Sequence, residues 1–473
     1  MKRFLTVIAV VAILIVASTA GFAELKLPAM FTSGAVLQQG SPAPVWGWAD
    51  PGAEVSVVFA GQTKTATADA EGEWTVTLDA LETNAEPATI TVTSGSETLD
   101  VENVLVGEVW YCSGQSNMEW VVGNSVKTED IDFNTLPMIR HIKVPHVRVG
   151  EPADDFVGEW QVCDENTVNG FTAVGFYHAY FLNRELNVPI GLIGCNWGGT
   201  KIEPWTPPAG FDAVDELDPA TLSDTSTMYN GMTAAVQPYA VAGAIWYQGE
   251  SNGGEGITYF HKMRALIAGL RATWEIDDLP FYFVQLANYR EPNPEPAGGD
   301  GWALHREAQL QTISAVENSG MAVIIDIGEA GDIHPKNKYD VGKRLALWAL
   351  ANDYGMDDLV YSGPLYREMA VEGGTIRLAF DHVGRGLMAA KKEGPQSIEP
   401  PTPVDELAGF AIAGEDKVWV WADAKIDGDT VVVSSPDVEA PVAVRYGFSN
   451  NPDTVNLYNE EGLPASPFRT DAW

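Results

Sequence analysis

The sequence predicts an α/β protein in which a central parallel sheet is flanked by N-terminal and C-terminal β-sandwich-like regions. Between residues 107 and 360, apolar strand-like runs alternate with segments whose apolar residues recur at helical spacing. That alternation is typical of a parallel sheet covered by helices on both faces. On either side of this stretch, short alternating runs are separated by Gly, Asp and Pro, as in β-rich domains.

The first 23 residues have the pattern of a secretory signal. Lys2 and Arg3 precede an apolar stretch from Leu5 to Val16, and small residues lead to a cleavage position after Ala23. This pattern predicts export to the periplasm or the extracellular space. No later run approaches the roughly 20 apolar residues of a membrane span, so stable membrane insertion is not expected.

The chain is strongly acidic, with a formal net charge of −37. Because nucleic acid repels such a chain, nucleic acid is excluded as an expected partner. The three cysteines, Cys112, Cys163 and Cys195, have the spacing of neither a disulfide framework nor a zinc site. We expect them to be small buried side chains.

Residues 24–106 predict an N-terminal β-sandwich domain. Runs such as EVSVVFAG and ATITVTSGSETLDV alternate apolar and polar residues and end at turn-forming residues. Residues 361–473 have the same character, with runs such as TIRLAF and PVAVRYGFS, and predict a C-terminal β-rich region.

The central region, 107–360, carries unusual polar residues where predicted strands end. The strand ending near residue 113 leads to GQSN, and two later strands lead to NWGG at 196–199 and YQGESN at 247–252. A fourth, VIIDIG, leads to EAGDIHP. Helices are predicted at 175–187, 260–274, 303–317 and 339–353. Since parallel strands present their carboxyl ends at one edge, these loops are expected to converge on one site.

Ser116 and His334 are the candidate nucleophile and base at that edge. A serine hydroxyl becomes a useful nucleophile when a base takes its proton. His334 lies in a short polar loop after a late core strand, whereas the other histidines lie in helices or in segments without that context. Asp332 is the candidate acid that orients the imidazole, with Asp326 and Glu329 as alternatives.

The same loops offer donors for an oxyanion. The backbone N–H of Ser116 is one candidate. Gly198 or Gly199 can bring a second backbone N–H close because neither carries a Cβ. The side-chain amide of Gln248 is the third candidate.

Taken together, GQSNM, WGGT, IWYQGESN and DIHP resemble the four conserved blocks of the SGNH hydrolases, and in detail those of the sialate O-acetylesterase type with its acetylxylan-esterase relatives. The likeness extends to LPAMFTSGAVLQQ, MYNGMTAAVQPY and the C-terminal stretch, so it covers nearly the whole chain after residue 23. The resemblance implies a flavodoxin-like hydrolase domain. It also implies removal of acetyl groups from sugar hydroxyls without a metal or another cofactor.

The resemblance assigns Ser116 as nucleophile and His334 as base, and it implies that Gln248 replaces the Asn of the broader SGNH pattern. We predict that Asn117, Glu250 and Asn252 contact the substrate, with Asn252 in a supporting role. One departure concerns the acid. Many SGNH enzymes place it three residues before the histidine, a position occupied here by a glycine, Gly331, while Asp332 is two residues before.

Two other functions are compatible with these blocks. Deacetylation of acetylxylan or another polysaccharide is the alternative within the esterases, because the blocks are shared. A carbohydrate-binding protein without activity is the alternative from another class, and the intact set of Ser116, His334 and oxyanion donors argues against it.

Overall fold

The computed structural model describes residues 24–126, 128 and 130–473. The predicted signal at 1–23 lies outside the described residues. Within them, no helix combines the length and apolar character needed to cross a bilayer. The strands of the N-terminal region are β1 (Val36–Gln38), β2 (Ala43–Trp48), β3 (Glu54–Phe59), β4 (Gln62–Thr67), β5 (Glu73–Leu78), β6 (Asn84–Ser94) and β7 (Glu97–Gly114).

The central region alternates strands and helices as predicted. Its strands after β7 are β8 (Ile139–Lys143), β9 (Gln161–Val162), β10 (Ile190–Asn196), β11 (Gly243–Tyr247), β12 (Phe281–Val284) and β13 (Ser319–Ala322). Its α-helices are α1 (Ser116–Glu119), α2 (Ala173–Leu186), α3 (Pro208–Asp212), α4 (Ile257–Trp274), α5 (Gly301–Ala315) and α6 (Lys338–Asn352).

These strands form a parallel sheet in the order β13-β12-β11-β7-β10-β8, and β9 adds an antiparallel edge. Neighbouring residues of a strand point to opposite faces. Trp110 and Leu192 pack with α2 and α6 on one face. Tyr111 and Ile193 pack with α4 on the other. The predicted parallel sheet covered on both faces is therefore confirmed.

The long strand β7 belongs to two regions of the protein. Its first part pairs antiparallel with β6, and its last part is a central strand of the parallel sheet. One continuous apolar core also joins the N-terminal strands to the α4 face. β7 crosses the predicted boundary between 106 and 107 without interruption, and the division into 24–106, 107–360 and 361–473 stays a prediction.

The C-terminal region is all β, as predicted. Its strands are β14 (Leu365–Glu372), β15 (Thr375–Asp381), β16 (Leu387–Lys391), β17 (Thr402–Pro403), β18 (Phe410–Gly414), β19 (Trp419–Trp421), β20 (Asp423–Asp427), β21 (Thr430–Ser434), β22 (Pro441–Tyr446), β23 (Leu457–Asn459) and β24 (Phe468–Arg469). They form small antiparallel sheets around a separate apolar core.

The last predicted core strand is shorter than its apolar run suggests. The run extends to residue 328, but β13 ends at Ala322. Among the described strands it pairs with β12 alone, which ends at Val284. The carbonyl of Val323 instead accepts a hydrogen bond from the Arg344 guanidinium at 2.7 Å. The apolar residues beyond β13 are buried without being part of the sheet.

We predict that Leu192→Ala lowers the free energy of unfolding by about 2–5 kcal/mol, because it leaves a cavity between β10 and the helices. Denaturant titration measures this. Val157→Ala is the control, since Val157 is 91% exposed, and it should change stability by at most about 0.5 kcal/mol. Equal losses from both variants would contradict the assigned core.

Candidate active site

The turn that presents Ser116 is fixed where three parallel strands end. Gly114, at the end of β7, is paired in register with Asn196 of β10 and Tyr247 of β11. Gly114 has φ +136°, and a Cβ there would lie 2.2 Å from the carbonyl oxygen of Tyr247. The N–H of Gln115 donates to that same oxygen at 3.0 Å. Only glycine fits this close approach, and the chain then turns into α1 at Ser116.

Ser116 and His334 meet as predicted, although 218 positions separate them in the chain. The Oγ of Ser116 lies 2.8 Å from Nε2 of His334, which is hydrogen-bond distance. The ring of Trp120 stacks on the imidazole with centroids 5.0 Å apart and planes 16° apart. This contact limits rotation of the ring, so Nε2 stays aimed at the hydroxyl.

Asp332 is the carboxylate beside His334 among the three predicted candidates. Its Oδ1 accepts the backbone N–H of His334 at 2.9 Å and lies 3.4 Å from Nδ1. Its Oδ2 pairs with Lys336 at 2.6 Å. The alternatives have other partners. Asp326 forms a buried bidentate ion pair with Arg344. Glu329 accepts a hydrogen bond from the backbone N–H of Lys336.

The electrostatics of this pair favour a neutral imidazole beside a charged carboxylate. Desolvation, followed by the charge of Lys338, lowers the pKa of His334 below its ordinary 6.5. Hydrogen bonding to Lys336 and to the His334 backbone N–H lowers the pKa of Asp332. At neutral pH the imidazole is therefore able to accept a proton.

Two of the predicted oxyanion donors are occupied by other acceptors. The N–H of Gly198 donates to Oε2 of Glu119 at 2.7 Å. Gln248 is fully buried, and its amide nitrogen contacts an acceptor on each of three residues, Gln115, Thr200 and Asn252. In this arrangement Gln248 stabilises the meeting point of the loops, and Glu119 holds the N–H of Gly198. The oxyanion roles of Gln248 and Gly198 stay predictions.

The N–H groups of Ser116 and Gly199 are the predicted donors that remain. Ser116 is the first residue of α1, and the first N–H groups of a helix have no acceptor within it. Gly199 adopts φ +71° with open space where a Cβ would lie. This conformation favours glycine in the loop next to the serine.

Asn117 lies behind the serine and ties three loops together. Its side-chain nitrogen donates to Glu250 and, at 3.0 Å, to the carbonyl of Ile333, the residue before His334. Its oxygen accepts from Lys338. Asn117 is fully buried, so it cannot touch a substrate, and its predicted role as a substrate contact is corrected to one of positioning.

Glu250 and Asn252 are also directed into the protein. Oε2 of Glu250 is buried without a hydrogen-bond partner among the described residues, and desolvation raises the pKa of this carboxyl. Asn252 donates to Glu203 and Glu255 and accepts from Gln248. Both residues were predicted as substrate contacts. Asn252 is buried, which argues against that role, whereas Glu250 is half-buried and its role as a substrate contact stays a prediction.

Sequence reasoning missed Glu119 and Lys338. Glu119 lies three residues after Ser116, which is about one helical turn, and this spacing could have placed it beside the nucleophile. Its Oε1 contacts Nε2 of His146 at 2.7 Å. Lys338, four residues after His334, is buried, and desolvation lowers its pKa to about 7.

We predict that Asn117→Ala lowers kcat on a small ester such as 4-nitrophenyl acetate by about 10- to 100-fold, because the His334 loop loses the donor that holds Ile333. KM should change little, since Asn117 does not face solvent. Steady-state kinetics measures both values. Asn124→Ala, at an exposed position, is the control, and a change confined to KM would contradict the positioning role.

Comparison with known proteins shows the family to which the chain belongs. The family described as carbohydrate esterase, sialic acid-specific acetylesterase, matches residues 106–350. Mouse sialate O-acetylesterase is 28% identical over 506 aligned positions, which cover 90% of this chain and 91% of that protein. Human sialate O-acetylesterase is 29% identical, with 72% of this chain and 73% of that protein covered.

Among solved structures, a carbohydrate acetylesterase from Xanthomonas citri is 40% identical, with a TM-score of 0.85. The superposition covers 95% of this chain and 100% of that one. The family match spans just over half of this chain and includes both Ser116 and His334. The chain therefore belongs to the sialic acid-specific acetylesterase family of carbohydrate esterases, and it is a carboxylic ester hydrolase that removes O-acetyl groups from carbohydrate.

Proposed function

We propose that the protein removes O-acetyl groups from sialic acid through an acetyl-Ser116 intermediate. The observation that carries the mechanism is the 2.8 Å contact between Oγ of Ser116 and Nε2 of His334. The choice of sialic acid is supported by the relatives named sialate O-acetylesterase, which align over most of the chain.

In the first half-reaction, Oγ of Ser116 attacks the acetyl carbonyl carbon while Nε2 of His334 takes the hydroxyl proton. Negative charge develops on the carbonyl oxygen, which accepts hydrogen bonds from the N–H groups of Ser116 and Gly199. When the carbon–oxygen bond to the sugar breaks, His334 returns the proton to the leaving sugar oxygen. Acetyl-Ser116 remains.

The second half-reaction uses water in place of the serine hydroxyl. His334 takes a proton from the water, whose oxygen attacks the acetyl carbon of acetyl-Ser116. The bond to Oγ then breaks, Oγ receives the proton from His334, and acetate leaves. Asp332 steadies the protonated imidazole in both halves, because its carboxylate lies beside Nδ1 and remains charged at neutral pH.

We also propose that the protein is exported. Residues 1–23 combine a positive start, an apolar stretch and a small-residue cleavage position. The periplasm or the extracellular space would give the enzyme access to acetylated glycans outside the cytoplasm.

The net charge of −37 is also unfavourable for nucleic acid as a partner.

The direct test is acetate release from 9-O-acetylated sialic acid and from acetylated xylan, measured side by side. We predict release from the sialic acid ester, and a loss of about 10⁴-fold or more in kcat for Ser116→Ala. Circular dichroism should show that the variant keeps the fold. Retained activity in Ser116→Ala would contradict the nucleophile. Release confined to xylan would contradict the proposed sugar while leaving the mechanism intact.

The lowered pKa of His334 gives a second prediction. The reaction needs the neutral imidazole, so kcat/KM falls as pH drops through the pKa of His334 in the free enzyme. We expect the midpoint of this acidic limb below about 6.5, the ordinary value for histidine. A pH profile on an uncharged acetyl ester measures it, with recovery of activity at neutral pH as the control for unfolding. A midpoint above 6.5 would contradict the described environment.

A further inference from the structure

A cleft of about 750 Å³ lies between the segment 292–298 and the C-terminal β region. Its other lining residues come from 405–411, 421–425 and 445–454. Ser116 and His334 are not among them, so the cleft is separate from the esterase site. The volume is in the range of about 300–1,000 Å³ that is typical of sites for small molecules.

Trp421 gives this cleft an accessible aromatic surface. The residue ends β19, and 53% of it is exposed although it is a large apolar side chain. Its indole N–H donates to the carbonyl of Pro294 across the cleft at 3.3 Å. This contact restrains the ring. An indole held in this way offers a flat apolar face at a small cost in side-chain entropy.

The wall opposite β19 and the floor of the cleft are preformed. Pro292, Pro294 and Pro296 have fixed φ angles, so the segment that carries them is stiff. Phe410 and Phe448 lie buried in the floor. A ligand would therefore enter a shaped cleft and would not have to order a loose loop.

The charges of the cleft decide which kind of ligand fits. The lining includes the carboxylates of Glu295, Asp405, Glu406, Asp423 and Asp453. The lining cations are Lys425 and Arg445, and Arg445 is already paired with Asp471. An anion is therefore disfavoured. Within the described residues, no group of His, Cys, Asp and Glu side chains has an arrangement that could hold a metal ion.

We propose that this cleft binds a neutral oligosaccharide chain. One sugar ring stacks on Trp421, and sugar hydroxyls donate hydrogen bonds to the carboxylates that line the cleft. This binding goes beyond deacetylation and does not depend on which acetylated sugar is hydrolysed. It gives the C-terminal β region a role in holding glycan, in addition to its packing against the central region.

The cleft and the esterase site are connected through one segment of the chain. The segment that forms its proline wall begins after Arg290, whose backbone N–H donates to the carbonyl of Ala330 at 3.0 Å. Ala330 lies in the loop that leads to His334. Asn451, a lining residue, donates to the carbonyl of Arg290 and contacts Asn288. A glycan held in the cleft would thus be anchored on the segment that borders the histidine loop.

The test measures binding of xylohexaose, cellohexaose and sialyllactose to the full-length Ser116→Ala protein by titration calorimetry. Tryptophan fluorescence gives a second readout. The same titrations are made with Trp421→Ala added. Trp473→Ala is the matched control, because Trp473 is also exposed but does not line the cleft. Hydrolysis of 4-nitrophenyl acetate by Trp421→Ala in the active enzyme is measured in parallel.

We expect at least one of the two neutral hexaoses to bind, and we expect Trp421→Ala to weaken that binding about tenfold or more. Trp473→Ala should leave it unchanged, and Trp421→Ala should leave hydrolysis of the small ester unchanged. The proposal is overturned if neither neutral hexaose binds at millimolar concentration, if Trp421→Ala binds as well as its parent, or if sialyllactose is the preferred ligand. If the enzyme failed to deacetylate sialic acid but a neutral hexaose still bound through Trp421, the proposed substrate would be contradicted and the proposed glycan binding in the cleft would stand.

Discussion

The active site depends on the hydrogen bonds of one buried amide, that of Asn117. The serine turn, the Glu250 loop and the histidine loop come from three separate parts of the chain. Asn117 belongs to the serine turn and contacts the other two, and it also accepts a hydrogen bond from Lys338 of α6. Its bond to the carbonyl of Ile333 holds the residue directly before His334. The contact between serine and imidazole is sensitive to displacements of a fraction of an ångström. A buried hydrogen bond of this kind therefore helps to fix the relative positions of the two groups.

A second buried residue, Gln248, also holds several loops together by hydrogen bonds. Its amide contacts the serine turn through Gln115, the glycine loop through Thr200 and the neighbouring 3₁₀ turn through Asn252. The hydroxyl of Tyr259 in α4 donates to its side-chain oxygen at 2.7 Å. Leaving any of these buried polar groups without a partner would be costly, so the network favours a single arrangement of the loops.

The fold and the meeting of Ser116 with His334 could be predicted from sequence because both depend on patterns that sequence carries. Strands that alternate with helices form a parallel sheet, and residues at the carboxyl ends of its strands converge. The contacts that Gly198, Gln248 and Asn252 make within the protein could not be predicted in this way. Their hydrogen-bond partners, such as Glu119 for Gly198, come from other loops, and burial decides whether a polar side chain faces the substrate or the interior.

The strand β7 has a consequence for how the molecule can move. An extended strand of its length spans roughly 60 Å, and a single run of backbone connects the outer N-terminal sheet to the residue two positions before Ser116. The apolar core is continuous along the same path. A hinge between the N-terminal region and the nucleophile would have to bend a paired strand, so the two can shift only together. Any opening around a bulky glycan would therefore have to come from the loops that border the site and not from a hinge between these two parts.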